Sequence, residues 1–186
     1  MTSTVLNHNA ENAGLAKLAA FMCFAVAFGG ALAELALAWV WLSPEYVEAF
    51  VVPHIGLGSA NVALDGATRL AGFAVSMIPL GVLFFVLHQA YELFNSYRLG
   101  NVFTAQCPIR LRRIGLSMIA LGVLRPITSA LLSIVLTAGN PAGQKMLVIG
   151  VSIDDYMIAI FGGLIVAIGH AMVEANRLAD ENSQIV

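Results

Sequence analysis

Four ionisable residues, Glu34, Arg125, Asp154 and Asp155, lie inside long apolar runs of this chain. A charge at hydrocarbon depth is costly, so such residues turn toward protein or water and mark packing, ion or proton sites. On a helix, Glu34 shares a small-residue face with Ala27, Gly30, Ala31 and Ala38. Small faces let helices approach closely. Arg125 has Gly122 and Ser129 on its own face, and Pro126 leaves the Gly122 carbonyl without its helical donor. Asp155 shares a face with Ala159, Gly163 and Ala167, whereas Asp154 is rotated by about 100° from that face. The expectation is an intramembrane charge network in which Arg125 contacts Glu34, Asp155 or both. Two carboxylates around one guanidinium leave an excess negative charge, so one of them can titrate. The plainer role is an ion pair that locks helices together. The functional roles are a proton- or ion-sensing site, or the charged path of a small transporter or channel subunit.

A second constellation repeats. His88 precedes Glu92 and His170 precedes Glu174, each by four residues, so each pair occupies one helical face. Two histidines arriving at similar depth can ligate a haem iron or a divalent metal. The plainer reading is a pair of interfacial histidines bonded to nearby carboxylates or hydroxyls, with no cofactor. His8 and His54 have no partner pattern. Cys23 and Cys107 lie far apart with no CxxC spacing, which disfavours a disulfide or zinc framework. No G-x-x-x-x-G-K-S/T, H-E-x-x-H or G-x-S-x-G motif occurs. The chain is therefore expected not to be an enzyme, and Gly29-Gly30 and Gly162-Gly163 read as helix-packing positions.

The elements that must position these residues are apolar. Of 186 residues, 59% are hydrophobic and 11% charged, with a mean hydropathy of +0.85. A soluble domain carries roughly 25% charged residues, so this chain is read as a membrane protein. A bilayer core takes about 20 apolar residues as helix, and four runs meet that length, at about 15–42, 70–94, 114–138 and 146–173. The expected fold is all-α, a single four-transmembrane-helix bundle. The net charge of -2 gives no electrostatic case for nucleic acid.

Ala31-Leu32-Ala33 resembles a signal-peptidase site. Residues 1–16 contain no Lys or Arg, however, and the apolar run continues through Trp41 and Leu42, so cleavage is not expected. Arg98, Arg110, Arg112 and Arg113 cluster between the second and third runs. The positive-inside rule then makes the 94–113 loop and both termini cytoplasmic, with Trp39, Trp41 and Tyr46 at the outer interface. The basic cluster fixes topology and meets anionic lipid, or docks a cytoplasmic partner. Pro44, Pro53, Gly56, Gly58 and Gly66 argue against a long regular element in residues 43–69. Gly139-Asn140-Pro141 reads as a tight turn. Gly100 can end the second helix in a left-handed conformation, and Thr104 can cap the next.

The stretch from Leu93 to Thr104, with Gly100-Asn101-Val102-Phe103-Thr104, is followed by Arg112-Arg113-Ile114-Gly115. The chain closes on an acidic stretch from Glu174 through Asp180 and Glu181 to Val186. Together these resemble a bacterial membrane family of unknown function, domain-of-unknown-function family 2975. The resemblance covers the second half well and the first half by span count. It implies a four-helix fold in the bacterial cytoplasmic (inner) membrane and brings no catalytic residues. Association of members with small helix-turn-helix regulators suggests signalling. The leading expectation is a non-enzymatic sensor or regulator engaging a cytoplasmic protein through the 94–113 loop and the C-terminal helix, with homo-oligomers possible. A haem- or metal-binding subunit and a transporter subunit are the alternatives.

Overall fold

The computed structural model describes residues 2–58, 61–100, 106–141 and 143–183. Its elements are α1 (Thr2–Leu42), α2 (Pro44–Tyr46), a π-helical turn (Val47–Val51), α3 (Val52–His54), α4 (Gly66–Arg98), α5 (Gln106–Thr137) and α6 (Ile153–Ser183). No strand occurs among the described residues. Four helices are long and apolar enough to cross a membrane, over Gly14–Leu42, Gly66–Arg98, Gln106–Thr137 and Ile153–Leu178. With four passes, the chain returns to the end from which it started. One end of the bundle is rich in turns, formed by residues 43–65 and 138–152. The other carries the arginine cluster and the C-terminus.

The helices pack in chain order. Helix α1 packs on α4, α4 on α5, and α5 most extensively on α6. Helices α1 and α6 share no extended seam, and neither do α1 and α5. The bundle is therefore open along one side. Apolar side chains such as Phe21, Phe24, Phe28, Leu32 and Leu35 form an exposed stripe on α1. A hydrocarbon environment tolerates that stripe and water does not.

The α5–α6 seam is built on glycine. A Cβ placed on Gly115 would lie 2.5 Å from the Gly162 carbonyl oxygen, and one on Gly162 would lie 2.7 Å from that of Gly115. One on Gly122 would lie 2.7 Å from the Asp155 carbonyl oxygen, and one on Gly169 would lie 3.1 Å from that of Pro108. Backbone meets backbone here, which small residues alone permit. The seam on α6 runs through Ala159, Gly162, Val166 and Gly169 rather than along the expected Asp155–Ala159–Gly163–Ala167 row. Gly163 has open space beside it. Of the other pair, Gly30 packs against Phe84 and Leu87 while Gly29 meets nothing.

The fourth long helix starts later than expected, at Ile153 instead of about Met146. The intervening segment runs extended along α5. The Met146 N–H donates to Thr137 Oγ1 at 3.2 Å, and the Val148 N–H donates to Ser133 Oγ at 3.0 Å. Four helical residues rise about 6 Å, and two extended residues span about 6.6 Å. Hydroxyls one turn apart on α5 therefore meet alternate N–H groups of the segment. Those bonds, with β-branched Val148, Ile149 and Val151, hold it out of the helix.

Two further expectations change. Trp41 is not an interface residue: it is 4% exposed and its indole fills the space beside Gly72, in a core with Val47, Val52, Ile55, Leu132 and Leu136. Trp39 and Tyr46 are exposed. The 43–69 stretch is also more regular than expected, because residues 44–54 are helical without a break. Pro44 starts this piece at a position where no N–H is needed. Pro53 cannot donate, and its ring crowds the carbonyl four residues back. The turn before it widens, and the Val52 N–H bonds to Val47 O.

Candidate functional site

Arg125, Asp155 and His54 come together at the turn-rich end, around an open, two-chambered cavity. Arg125 Nη1 lies 3.1 Å from Asp155 Oδ1, with the Asp155 side chain 7% and the Arg125 side chain 31% exposed. Asp155 stands at the start of α6. Its Oδ2 accepts from the Ser152 N–H at 3.0 Å, while its own N–H donates to Ser152 Oγ at 3.1 Å. This reciprocal arrangement is a capping box. The partial positive charge of the helix N-terminus adds to it. Asp155 is thus a carboxylate satisfied largely by its own helix. The approach of Arg125 is a charge contact without a directed hydrogen bond, since Oδ1 accepts none in good geometry.

The polar chamber, about 440 Å³, is lined by Arg125, Asp155, Ser152, His54, Ser76, Thr128 and Ser129. The second chamber, about 590 Å³, is lined mainly by Leu37, Val40, Trp41, Phe50, Leu83, Leu121 and Ile158. Arg125, His54, Ser76 and Pro79 line both. The Ser76 and Thr128 hydroxyls donate to the carbonyls of Gly72 and Leu124, four residues back on their own helices. Pro79 in α4 and Pro126 in α5 each interrupt the helical hydrogen-bond ladder beside this space.

Glu34 does not reach Arg125. Its side chain is exposed and forms no ion pair among the described residues. Helix α1 does face the cavity that Arg125 lines, but through Ala33, Ala36, Leu37 and Val40, and Glu34 lies on another side of the helix. Asp154 is exposed, on a different face from Asp155.

The histidine pairs are placed differently from one another. His88 lies in a groove with Val26, Ala27, Gly30, Ala31 and Tyr91, between α1 and α4. His170 is exposed, and its Nδ1 sits 3.0 Å from the Val166 carbonyl oxygen on its own helix. Their carboxylates have other partners: Arg110 Nη2 is 3.2 Å from Glu92 Oε2, and Arg177 Nη2 is 2.5 Å from Glu174 Oε1. Among the described residues, no group of three or more His, Cys, Asp or Glu side chains converges as metal ligands do.

At the basic end, Gly100 has φ +81°, and its N–H donates to Tyr97 O, closing α4. Helix α5 begins at Gln106, so Arg110, Arg112 and Arg113 lie in its first turns instead of in a loop. Arg98 ends α4. Arg98, Arg112 and Arg113 are exposed. Thr104 and the closing Val186 lie outside the described residues. In the Arg-Arg-Ile-Gly stretch, the glycine is the Gly115 that meets α6.

The family model for proteins of unknown function DUF2975 matches residues 7–186. The chain belongs to this family. The match runs through all four long helices, so family membership extends to the first half of the chain. No curated protein and no solved structure matches it. Within this DUF2975 chain, sequence reasoning missed three features of the cavity. Ser152 carried a usable signal, the Ser-x-x-Asp spacing of a capping box. Pro79, inside an apolar helical run, carried another. His54 carried none, because the irregular path of residues 43–65 brings it there.

Proposed function

We propose that this DUF2975 protein is a non-enzymatic sensor or regulator of a bacterial cytoplasmic membrane, with the turn-rich end outside and the basic end in the cytoplasm. In this reading the cavity receives a signal and helix α6 carries it to the basic end. The observation that supports it is the placement of Arg125 and Asp155 at the head of the α5–α6 seam. Gly122, one turn before Arg125, touches the Asp155 backbone, and the same seam continues through Gly162 to Gly169 beside Arg112. A packed seam moves as a unit, so a change in the Arg125–Asp155 contact shifts or tilts α6 along its length. At the far end, α6 runs on past Gly169 and displays Glu174, Arg177 and Glu181, paired with one another, a mixed-charge surface fit for a cytoplasmic regulator protein.

Capture from detergent-solubilised membranes tests the reading. The full chain retains a specific cytoplasmic partner, and deletion of residues 174–186 releases it. Absence of a specific partner with both forms contradicts the proposal.

A further inference from the structure

We propose that the cavity binds an amphiphile with one anionic head and an apolar tail, of the class of a long-chain carboxylate. The inference rests on the reading of the cavity as the receiving site, and it names what is received.

The donors decide the head. Ser129 and Ser152 add only neutral hydroxyls, and Ser76 and Thr128 have spent their hydroxyl protons on their own helices. Arg125 has not: a guanidinium has five N–H donors, and among the described residues Arg125 makes one contact, the undirected approach to Asp155. His54 lines the same space. What the chamber offers is unspent donor capacity carrying positive charge, which an anion matches. Asp155 does not cancel it fully, because the Ser152 N–H and the N-terminus of α6 already share its charge. An incoming anionic head therefore competes with Asp155 for Arg125, and Asp155 then keeps the Ser152 N–H on its Oδ2.

The second chamber decides the tail. It joins the first at Arg125, His54 and Ser76 and is otherwise walled by apolar side chains, Trp41 and Phe50 among them. Its volume suits an alkyl chain, and such a wall rejects a second polar group that would be left unpaired. Mostly apolar space with a few placed polar groups is the usual form of a small-molecule site. Removal of the Arg125 contact from Asp155 is also the local change that the seam would transmit.

The chain has two tryptophans, so Trp39→Phe leaves Trp41 as a single reporter in the tail chamber. The protein is placed in nanodiscs of zwitterionic lipid at alkaline pH and titrated with 9,10-dibromostearate, whose bromines quench indole on contact. Its methyl ester partitions into the same bilayer without a charged head. Expected is saturable quenching by the acid, with the ester and the Arg125→Met/Asp155→Asn double variant at least about tenfold weaker, or 1.4 kcal/mol. The double variant avoids stranding a bare carboxylate; if it fails to fold, the acid-to-ester ratio on the unmutated pair still decides. Equal quenching by acid and ester, or quenching that never saturates, overturns the proposal. Partner capture reads the other claim separately: a retained partner with no selective quenching sinks the ligand alone, and selective quenching with no partner sinks the sensor reading alone.

Discussion

The α5–α6 seam and the α1–α4 seam use glycine for opposite purposes. Between α5 and α6, glycines on both helices bring backbone against backbone, at Gly115 with Gly162 and at Gly122 with Asp155. Between α1 and α4, Gly72 makes room for a large side chain, the Trp41 indole, while Phe84 and Leu87 approach Gly30. The first seam is short-range and has no slack. The second is filled by side chains that can change rotamer. Charge follows the same division, since Asp155 on α6 is paired and capped whereas Glu34 on α1 is exposed. In the proposed reading, a close seam that ends in an ion pair at a cavity transmits displacement. A seam filled by side chains absorbs it.

The largest effect expected from breaking this contrast comes from Gly162→Leu. Its side chain would enter the Gly115 carbonyl and the Ile119 amide, which cannot move aside as a side chain can. The loss should reach or exceed the upper end of the overpacking range, about 3 kcal/mol. Gly163→Leu, one residue along in open space, should melt near wild type in the same detergent. Similar melting of both would deny the close seam.

Next comes Arg125→Ala. It leaves a buried carboxylate that still holds the Ser152 N–H, so the cost is roughly 1–3 kcal/mol, the range for a buried group losing its partner. Adding Asp155→Asn should recover part of the loss in a double-mutant cycle, and strictly additive losses would show that the two residues do not interact. Gly72→Ala should cost less than Gly162→Leu, about 1–2 kcal/mol within the overpacking range, because the indole can shift. Trp41 fluorescence in a Trp39→Phe background should report that shift, and an unchanged spectrum would place the indole elsewhere.

The smallest effect belongs to Asp65, the cap of α4. The Thr68 hydroxyl and then its N–H, which donates to Oδ1 at 3.0 Å, hold the carboxyl below its ordinary value of 3.8. A depressed carboxyl contributes stability above the ordinary value, and the contribution fades as pH falls through the lowered one. Asp65→Ala should therefore lose less melting temperature than wild type on acidification below 3.8. Parallel acid curves would remove the cap from the account.

The fold was legible because length and hydropathy alone demand four long apolar helices, and the left-handed turn at Gly100 was legible from glycine. The start of α6 was not. Apolar residues 146–151 fit a helix or an extended segment equally well, and the choice fell to hydroxyls of Ser133 and Thr137 on another element. The Arg125–Asp155 partnership followed from the rule that membrane charges seek partners. Glu34 was misplaced because helical faces predict which residues share a side, and they do not predict which side is turned to the cavity; on α1 that side carries Ala33, Leu37 and Val40. Trp41 misled for a similar reason: an indole near the end of a span suits an interface, and the absence of a side chain at Gly72 draws it inward.

If the contact at the cavity controls the position of α6 at the basic end, spin labels on the two helices report it most directly. Cys23 and Cys107, the two cysteines of the chain, are replaced by serine, and labels are attached at Leu99→Cys and Leu178→Cys, both exposed positions near the ends of α4 and α6. The distance distribution is then measured in nanodiscs with Arg125 and Asp155 intact and with the Arg125→Met/Asp155→Asn pair. The account predicts a shifted or broadened distribution when the contact is removed. A distribution that superimposes on the unaltered one, in a variant that remains folded, would contradict it.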